Sequence, residues 1–247
     1  MIVLQNLKKS FGHVHAVRDV SLTAPDGAVT GLLGANGAGK TTTLRMLSGL
    51  VRPDHGSIVV DGIDVIAEPL RARACMGMLP DARGIYPRLT PREQLRYFGR
   101  LQGLKGTLLE KNVNALLERL GLSRIADRRT EGFSQGERTK VALGRALVHG
   151  PRNVILDEPT NGLDVMSTRA TRELIRTLRS EGCCVVFSSH IMQEVSALCD
   201  HIVVVAGGTV VASGTPNDLR AAAGCDSLED AFVKLAGLHS EDEALGA

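Results

Sequence analysis

The sequence predicts an α/β fold, and three features of the chain point to it. An apolar run at 29–33 leads into a glycine-rich loop and then into a helical pattern at 41–48. Two further short apolar runs, at 154–156 and 183–187, end in polar residues, as buried strands do. Residues 90–150 between them carry helical periodicity, so we expect a helical insertion between two β-rich halves.

The composition suits a globular protein in a reducing compartment. With 247 residues, of which 43% are hydrophobic, the chain can bury a large core. The net charge of +2 argues against a protein that mainly neutralises nucleic acid, and no nucleic-acid partner is expected. No apolar run reaches the roughly 18 residues that span a bilayer, and residues 1–6 are too short and too polar for a signal peptide. The five cysteines form no C-x-x-C pair, so we expect a cytoplasmic location.

The loop at 34–41 has the pattern G-x-x-x-x-G-K-T between a predicted strand and a predicted helix. Glycines let successive backbone N–H groups face one concavity, to which the helix adds its positive end, and a polyphosphate fills such a concavity well. Lys40 is expected to reach the β- and γ-phosphates, and the Thr41 hydroxyl to coordinate Mg²⁺. The predicted binding residues are Gly34, Asn36, Gly37, Gly39, Lys40, Thr41 and Thr42.

The remainder of the N-terminal part is predicted to be mainly β-structure with one short helix, at 69–75. Phe11 lies between the first two strands. It could stack on a purine ring or be an ordinary packing residue, and its spacing alone favours packing. The predicted strands lie at 2–4, 20–23, 57–60, 63–66 and 76–79.

The insertion is predicted to contain three helices. Thr90 and Glu93 form a capping box around Pro91, which starts a helix that ends near residue 102. An amphipathic helix at 107–120 follows. Ser134 and Glu137 form a second capping box. The start of that third helix could bind an anion, but an ordinary capped helix explains this stretch better.

Asp157 and Glu158 follow the apolar run at 154–156, at the edge of the sheet where parallel α/β proteins bind ligands. Adjacent strand residues point to opposite faces, so the two carboxylates cannot act alike. One is expected to hold the Mg²⁺ that Thr41 contacts, and the other to orient an attacking water.

The rest of the chain continues the same alternation of strands and helices. Asp164 is predicted to cap a helix at 165–180. His190 follows the next strand and is interpreted either as a cap or packing residue or as a γ-phosphate contact. A hairpin at 203–212, two short helices after Pro216 and a frayed acidic tail at 240–247 complete the prediction.

Together these residues resemble the ATP-binding subunit of an ABC transporter, from about residue 2 to the hairpin. The resemblance implies a P-loop NTPase core of the RecA-like type, with an N-terminal antiparallel β subdomain and an inserted helical subdomain. The core with its β subdomain then covers 1–80 and 151–215, the helical subdomain 81–150, and a C-terminal helical extension and tail 216–247.

The resemblance also implies ATP as substrate, Mg²⁺ as cofactor and a role for each matching residue. Glu158 matches the general base, Asp157 the Mg²⁺ aspartate and His190 the switch histidine, while Phe11 matches the adenine-stacking aromatic residue. Most members of the family carry a metal-sensing glutamine where this chain has Asp81. Asp81 is therefore a candidate metal residue, with a loop-capping aspartate as the alternative.

The family's nucleotide sites form between two such subunits, and the chain is therefore expected to dimerise, as a homodimer, when it binds ATP. The family sequence L-S-G-G-Q is F-S-Q-G-E here at 133–137, so only Ser134 and Gly136 match its nucleotide contacts. Asp164 matches the aspartate of the loop that crosses the dimer.

The function implied is ATP hydrolysis that drives export through a separate transmembrane permease, at the cytoplasmic face of the membrane. Residues 79–87 are similar to the sodium- and drug-export branch of the family. The alternatives are a soluble non-transport ABC-type ATPase, for which the insertion is too short or a second cassette is missing, and a regulatory nucleotide-binding module. Glu158 and His190 argue against the second.

Arg92, Arg96 and Arg100 recur at four-residue spacing on the first inserted helix. The run is interpreted as a solvated basic face, or as a surface for anionic lipid or for an acidic segment of the membrane partner.

Overall fold

The computed structural model describes residues 1–237, and the predicted acidic tail at 240–247 lies outside this range. Within it, ten strands form one sheet of order β5-β4-β1-β2-β10-β9-β3-β8-β7-β6. The strands are β1 (Ile2–Phe11), β2 (Val14–Ala24), β3 (Val29–Leu33), β4 (His55–Val60), β5 (Ile63–Asp64), β6 (Met76–Leu79), β7 (Asn153–Asp157), β8 (Cys184–Ser189), β9 (His201–Ala206) and β10 (Thr209–Gly214).

The helices are α1 (Lys40–Leu47), α2 (Pro69–Ala74), α3 (Pro91–Leu101), α4 (Gly106–Arg119), α5 (Gln135–Leu147), α6 (Val165–Ser180), α7 (Met192–Leu198), α8 (Pro216–Ala223) and α9 (Leu228–Leu235), with a short 3-10 helix at Ser123–Ile125. Five of the nine α-helices within residues 1–237, α3 to α7, lie in sequence between the strands β6, β7, β8 and β9.

The sheet has a parallel part and an antiparallel part. Strands β6, β7, β8, β3 and β9 are parallel neighbours, and β1, β2, β4 and β5 form the antiparallel wing. Successive residues of β7 enter opposite cores: Val154 and Leu156 pack with the helical insertion, and Ile155 packs toward α1 and the antiparallel wing. Both faces are covered, which explains the uninterrupted apolar runs of the central strands.

The inserted helices begin where the sequence predicts. Both capping boxes are present: the Thr90 hydroxyl accepts a hydrogen bond from the Glu93 N–H, and Ser134 does the same for Glu137. Leu95 of α3 and Val141 of α5 are fully buried in the same core as the strands β7 and β8. The insertion is therefore packed directly onto the sheet, although the division into subdomains remains a prediction.

Some predicted strands have the wrong length. The strands predicted at 2–4 and 20–23 are the ends of one long hairpin, β1 and β2. Its middle was missed because polar residues cover its exposed side and because the register shifts at Asn6, which has a φ of 49°. Strand β8 extends two residues beyond the predicted end at 187, and β5 is only two residues long.

Two of the three arginines on α3 are paired inside the insertion. The guanidinium of Arg92 contacts Asp127 at 2.8 Å, and that of Arg96 contacts Glu110 at 2.6 Å. These ion pairs account for the close spacing of like charges and favour the solvated face over a lipid-binding surface. Across residues 1–237, none of the helices combines the length and the apolar character that a membrane span requires.

Candidate active site

A cleft of about 540 Å³ lies where several parallel strands end. The carboxyl end of β3 supplies the glycine-rich loop, and the ends of β6, β7 and β8 are followed by Asp81, Glu158 and His190. Parallel α/β proteins bind their ligands at this edge of the sheet. The lining residues are Val14, His15, Ala16, Asn36, Gly37, Ala38, Gly39, Lys40, Thr41, Thr42, Asp81, Glu158, Asn161 and His190.

Glycine is needed at several positions of the loop because the backbone path there excludes larger residues. Gly39 has a φ of 103°, and a Cβ atom there would lie 2.5 Å from the carbonyl oxygen of Ala16. At Gly34 a Cβ atom would lie 2.4 Å from the carbonyl oxygen of Val205, and Gly37 has a φ of 81°. No larger residue fits at Gly34 or Gly39 without moving backbone, so the concave path of the loop depends on them.

The ammonium group of Lys40 lies within the loop. Its Nζ donates to the carbonyl oxygen of Gly34 at 2.7 Å and to that of Ala35 at 3.2 Å. The carboxylate of Glu158 is 3.6 Å away, and both side chains are almost completely buried. The Lys40 ammonium therefore lies beside the loop at the N-terminus of α1, where backbone N–H groups are unpaired. This arrangement suits a polyphosphate.

The side chains of Thr41, which lines the cleft, and Asp157 are hydrogen-bonded to each other. The Thr41 hydroxyl donates to Oδ1 of Asp157 at 3.2 Å, and the Ser188 hydroxyl donates to the same oxygen at 2.6 Å. Burial raises the pKa of Asp157, while the hydrogen bonds from Ser188 and Thr41 lower it. The pair offers hard oxygen ligands of the kind that Mg²⁺ takes together with phosphate and water.

No group of three or more His, Cys, Asp or Glu side chains within the described 237 residues could by itself hold a metal ion.

Glu158 does not continue the strand, so the prediction that the two carboxylates lie on opposite faces of one strand is wrong in its geometry. Strand β7 ends at Asp157, and Glu158 has a φ of 48°. This left-handed conformation turns the Glu158 side chain into the cleft, while Asp157 contacts Thr41. The Ser188 hydroxyl accepts the Glu158 N–H at 3.0 Å, and Nδ1 of His190 lies 3.0 Å from Oε2 of Glu158.

Asp81 lies at the rim of the cleft with its side chain more than half exposed. The guanidinium of Arg83 donates to its carbonyl oxygen at 2.6 Å and lies 3.7 Å from its carboxylate. The carbonyl contact involves the main chain, which any residue would supply, so it does not test the loop-capping alternative, and the position at the rim is compatible with the metal alternative. Both interpretations of Asp81 therefore stay open as predictions.

Six predicted residues do not line the cleft: Gly34 and Asp157, which contact its lining residues Lys40 and Thr41, and Phe11, Ser134, Gly136 and Asp164. Phe11 is half exposed at the end of β1, with the Lys9 ammonium 5.4 Å from its ring centroid, so it is not a core packing residue. Ser134 and Asp164 cap α5 and α6, the latter accepting the Ser167 N–H at 2.9 Å. At Gly136 a Cβ atom would lie 2.3 Å from the Ser167 hydroxyl. The start of α5 and the Asp164 loop therefore pack together, and Ser134, Gly136 and Asp164 do not line the cleft.

Several residues of the site were not predicted. Ser188 holds both Asp157 and the Glu158 backbone, and its place two residues before His190 was the only available signal. Val14, His15 and Ala16 reach the cleft because the β1–β2 hairpin is longer than predicted. Arg83 contacts the Glu158 carbonyl oxygen from 75 residues away in sequence, and no local pattern marks it.

Comparison with known proteins agrees with this geometry. The family model described as ABC transporter matches residues 17–161, more than half of the chain. The ABC transporter ATP-binding protein NatA of Bacillus subtilis is 42% identical over 238 residues, which cover 94% of this chain and 97% of NatA. The lipopolysaccharide export ATP-binding protein LptB of Haemophilus influenzae is 37% identical, with 89% of this chain and 92% of LptB covered.

Solved structures give the same result. An ATP-binding subunit of an ABC transporter superimposes with a TM-score of 0.88 at 30% identity, covering 95% of this chain and 99% of that one. A dimeric structure of a bacterial ABC transporter cassette has a TM-score of 0.78 at 24% identity, which shows the fold alone. With the phosphate loop, the carboxylates and the histidine gathered at one cleft, this chain belongs to the ABC transporter family, as an ATP-binding subunit that hydrolyses ATP.

Proposed function

We propose that this ATPase drives export through a separate transmembrane partner and acts as a homodimer at the cytoplasmic face of the membrane. The observation that carries the proposal is the separation of two sets of residues. Lys40, Thr41 and Glu158 share one cleft, whereas Ser134 and Asp164 lie elsewhere on the same chain. A second copy would bring its Ser134 and Asp164 to the open side of the cleft.

An exposed apolar pair supports the dimer. Val165 and Met166 follow Asp164 at the start of α6, and their exposed fractions are 83% and 72%. Large apolar side chains this exposed next to a predicted contact loop favour burial against another protein. The dimeric cassette of the same fold provides a precedent for such a pairing.

The chemistry proposed for the site follows from its contacts. The loop N–H groups and Lys40 bind the phosphates, and Mg²⁺, when held by Thr41 and Asp157, supplies charge neutralisation to them. Glu158 accepts the proton of the attacking water, and His190 orients the Glu158 carboxylate through the 3.0 Å contact. Ser188 fixes both acidic residues because it bonds to each of them. Phe11 is proposed to stack on the adenine.

A second groove, separated from the cleft by Arg83, supports docking of a helix of the membrane partner. It has a volume of about 340 Å³ and is bordered by the edge strand β6 and the helices α3 and α5. Its lining includes Leu50, Met78, Phe98 and Arg145. An amphipathic helix binds in such an apolar groove through its apolar face. The export direction is supported by relatives named for export, such as LptB.

The test is reconstitution with a candidate transmembrane permease from the same organism. We expect the two proteins to copurify in detergent, and the ATPase rate to change when they are combined. Leu50→Glu, at a groove residue that is 61% exposed, should abolish copurification and leave the ATPase rate of the isolated subunit unchanged. Leu108→Glu, at a leucine that is 54% exposed on α4 outside the groove, is the matched control.

Copurification of the Leu50→Glu protein at the normal level would contradict the groove as the docking surface. A chain that hydrolyses ATP and binds no membrane protein would favour a soluble ABC-type ATPase instead.

A further inference from the structure

Arg83 holds an unusual place between the cleft and the helical insertion. It belongs to the loop that follows β6, and only 7% of its side chain is exposed. Its Nε donates to the Thr139 hydroxyl on α5 at 3.2 Å. Its Nη1 donates to the Asp81 carbonyl oxygen at 2.6 Å, and its Nη2 to the Glu158 carbonyl oxygen at 3.3 Å. One guanidinium therefore joins three segments that are far apart in sequence.

The partners of this buried cation are mainly neutral. All three hydrogen bonds go to uncharged oxygens, and the Asp81 carboxylate is 3.7 Å away. Burial lowers the pKa of Arg83, while the charges of Asp81 and Asp157 act in the opposite direction. A buried charge whose one carboxylate neighbour is more than half exposed and makes no hydrogen bond to it is a costly way to stabilise a fold. The arrangement therefore calls for a role besides stability.

The contact with Glu158 indicates that role. A φ of 48° is rare for a long side chain, and such a conformation persists only where its surroundings fix it. Ser188 accepts the Glu158 N–H, and Arg83 donates to the Glu158 carbonyl oxygen. The peptide groups on both sides of the Glu158 Cα atom are thus held by side chains, and this sets the direction of the Glu158 carboxylate.

We propose that Arg83 is a positioning residue for ATP hydrolysis, because its forked guanidinium locks Glu158 and the Asp81 loop to helix α5. It does not touch the reacting atoms in this arrangement; it acts through the Glu158 backbone. The planar guanidinium has three nitrogens that donate to the three oxygens at once, and a lysine ammonium cannot span them. The inference depends on the ATPase activity and not on the transport partner proposed above, so the isolated subunit is the material for its test.

The test compares Arg83→Met and Arg83→Lys with the control Arg92→Met. Arg92 is also a partly buried arginine with a close carboxylate, Asp127, but it lies on α3 away from the cleft. We expect Arg83→Met to lower kcat by about tenfold to a hundredfold with a KM for ATP within about threefold, because a misplaced catalytic group costs turnover more than binding. Arg83→Lys should recover a minor part of the loss.

A second measurement does not depend on ATP. Hydrogen exchange of a peptide covering 158–163 should be faster in Arg83→Met than in the wild type and in Arg92→Met. Equal kcat values for Arg83→Met and Arg92→Met, or unchanged exchange in that peptide, would overturn the proposal.

If the Arg83→Met protein does not fold, the Thr139→Val variant tests the proposal instead. It removes the acceptor of the Arg83 Nε, together with the bond that the same hydroxyl donates to the Gln135 carbonyl oxygen within α5, and it keeps the volume of the side chain. A kcat lowered several-fold at constant KM supports the proposal, and wild-type kinetics in both Thr139→Val and Arg83→Lys overturn it. Loss of activity in Glu158→Gln alongside normal activity in the Arg83 variants would reject this inference and leave the assigned ATPase intact.

Discussion

Nδ1 of His190 lies 3.0 Å from Oε2 of Glu158, so the residues that follow β8 and β7 are in direct contact. The sequence predicted a separate task for each of them. Their contact makes His190 a support for the Glu158 carboxylate as well as a candidate phosphate ligand. Because Lys40 is 3.6 Å from the other carboxylate oxygen, Glu158 is held between two nitrogen groups.

Glu158→Gln is expected to leave ATP binding intact and to trap an ATP-bound dimer. Glutamine keeps the shape and the contact with His190 but cannot accept the proton of water, and loss of a positioned general base costs about 10²–10⁴-fold in rate. Size-exclusion chromatography with ATP, together with an ATPase assay, measures both effects. Glu173→Gln, at an exposed carboxylate on α6, is the control. A monomer with normal turnover would contradict the role of Glu158.

Gly39→Ala and Gly37→Ala separate two reasons for glycine in the loop. Both residues have positive φ, but a Cβ atom at Gly39 meets the Ala16 carbonyl oxygen at 2.5 Å, whereas Gly37 faces open space. Alanine in the left-handed region costs about 1–2 kcal/mol. We therefore expect Gly39→Ala to weaken ATP binding at least about tenfold more than Gly37→Ala does, measured with a fluorescent ATP analogue. Equal affinities would show that the close approach to Ala16 is unimportant.

His149 should make the folded protein less stable at acidic pH. Burial lowers its pKa below 6.5, although a hydrogen bond with the Met76 carbonyl oxygen partly opposes this effect. The unfolded chain therefore binds a proton first as the pH falls below 6.5, and the free energy of unfolding drops until the folded-state pKa is reached. The loss is at most about 1.4 kcal/mol at one pH unit below 6.5.

Urea unfolding at pH 7.5 and pH 5.5 tests the effect of His149. The difference in stability between the two pH values should be smaller in His149→Gln than in the wild type, and His13→Gln, at an exposed histidine, should behave like the wild type. An identical pH dependence in His149→Gln would rule out His149 as the source.

The fold and most of the cleft could be predicted because their signals are local. The phosphate loop, both capping boxes and the strand that delivers Asp157 each occupy fewer than a dozen consecutive residues. Contacts between distant segments could not be predicted in the same way. The three hydrogen bonds of the Arg83 guanidinium, the bonds of Ser188 and the left-handed turn at Glu158 depend on segments brought together by the sheet, and apart from the place of Ser188 before His190 no spacing in the chain indicates them.

The Asp81 carboxylate lies at the rim of the cleft, where it can affect the binding of Mg²⁺ and ATP. An aspartate at the rim of the cleft offers carboxylate oxygens that can contact a metal ion or its bound water. Beside Asp157, Glu158 and a γ-phosphate it should repel ATP until Mg²⁺ is present. We expect Asp81→Ala to weaken the Mg²⁺ dependence of hydrolysis and to uncouple hydrolysis from the membrane partner, while Asp81→Gln retains most activity.

The structure makes Asp81→Ala a clean test of the carboxylate. Arg83 donates to the main-chain carbonyl oxygen of Asp81, and alanine keeps that group, so the hydrogen bond that fixes the loop survives the substitution. Only the carboxylate at the rim, 3.7 Å from the Arg83 guanidinium, is lost. Titration of Mg²⁺ at fixed ATP in the wild type and in Asp81→Ala therefore reports on the carboxylate, and Asp81→Asn, which removes the charge near Arg83 but keeps the shape of the side chain, is the matched comparison. Superimposable curves, with unchanged stimulation by the partner, would leave Asp81 as a loop residue only.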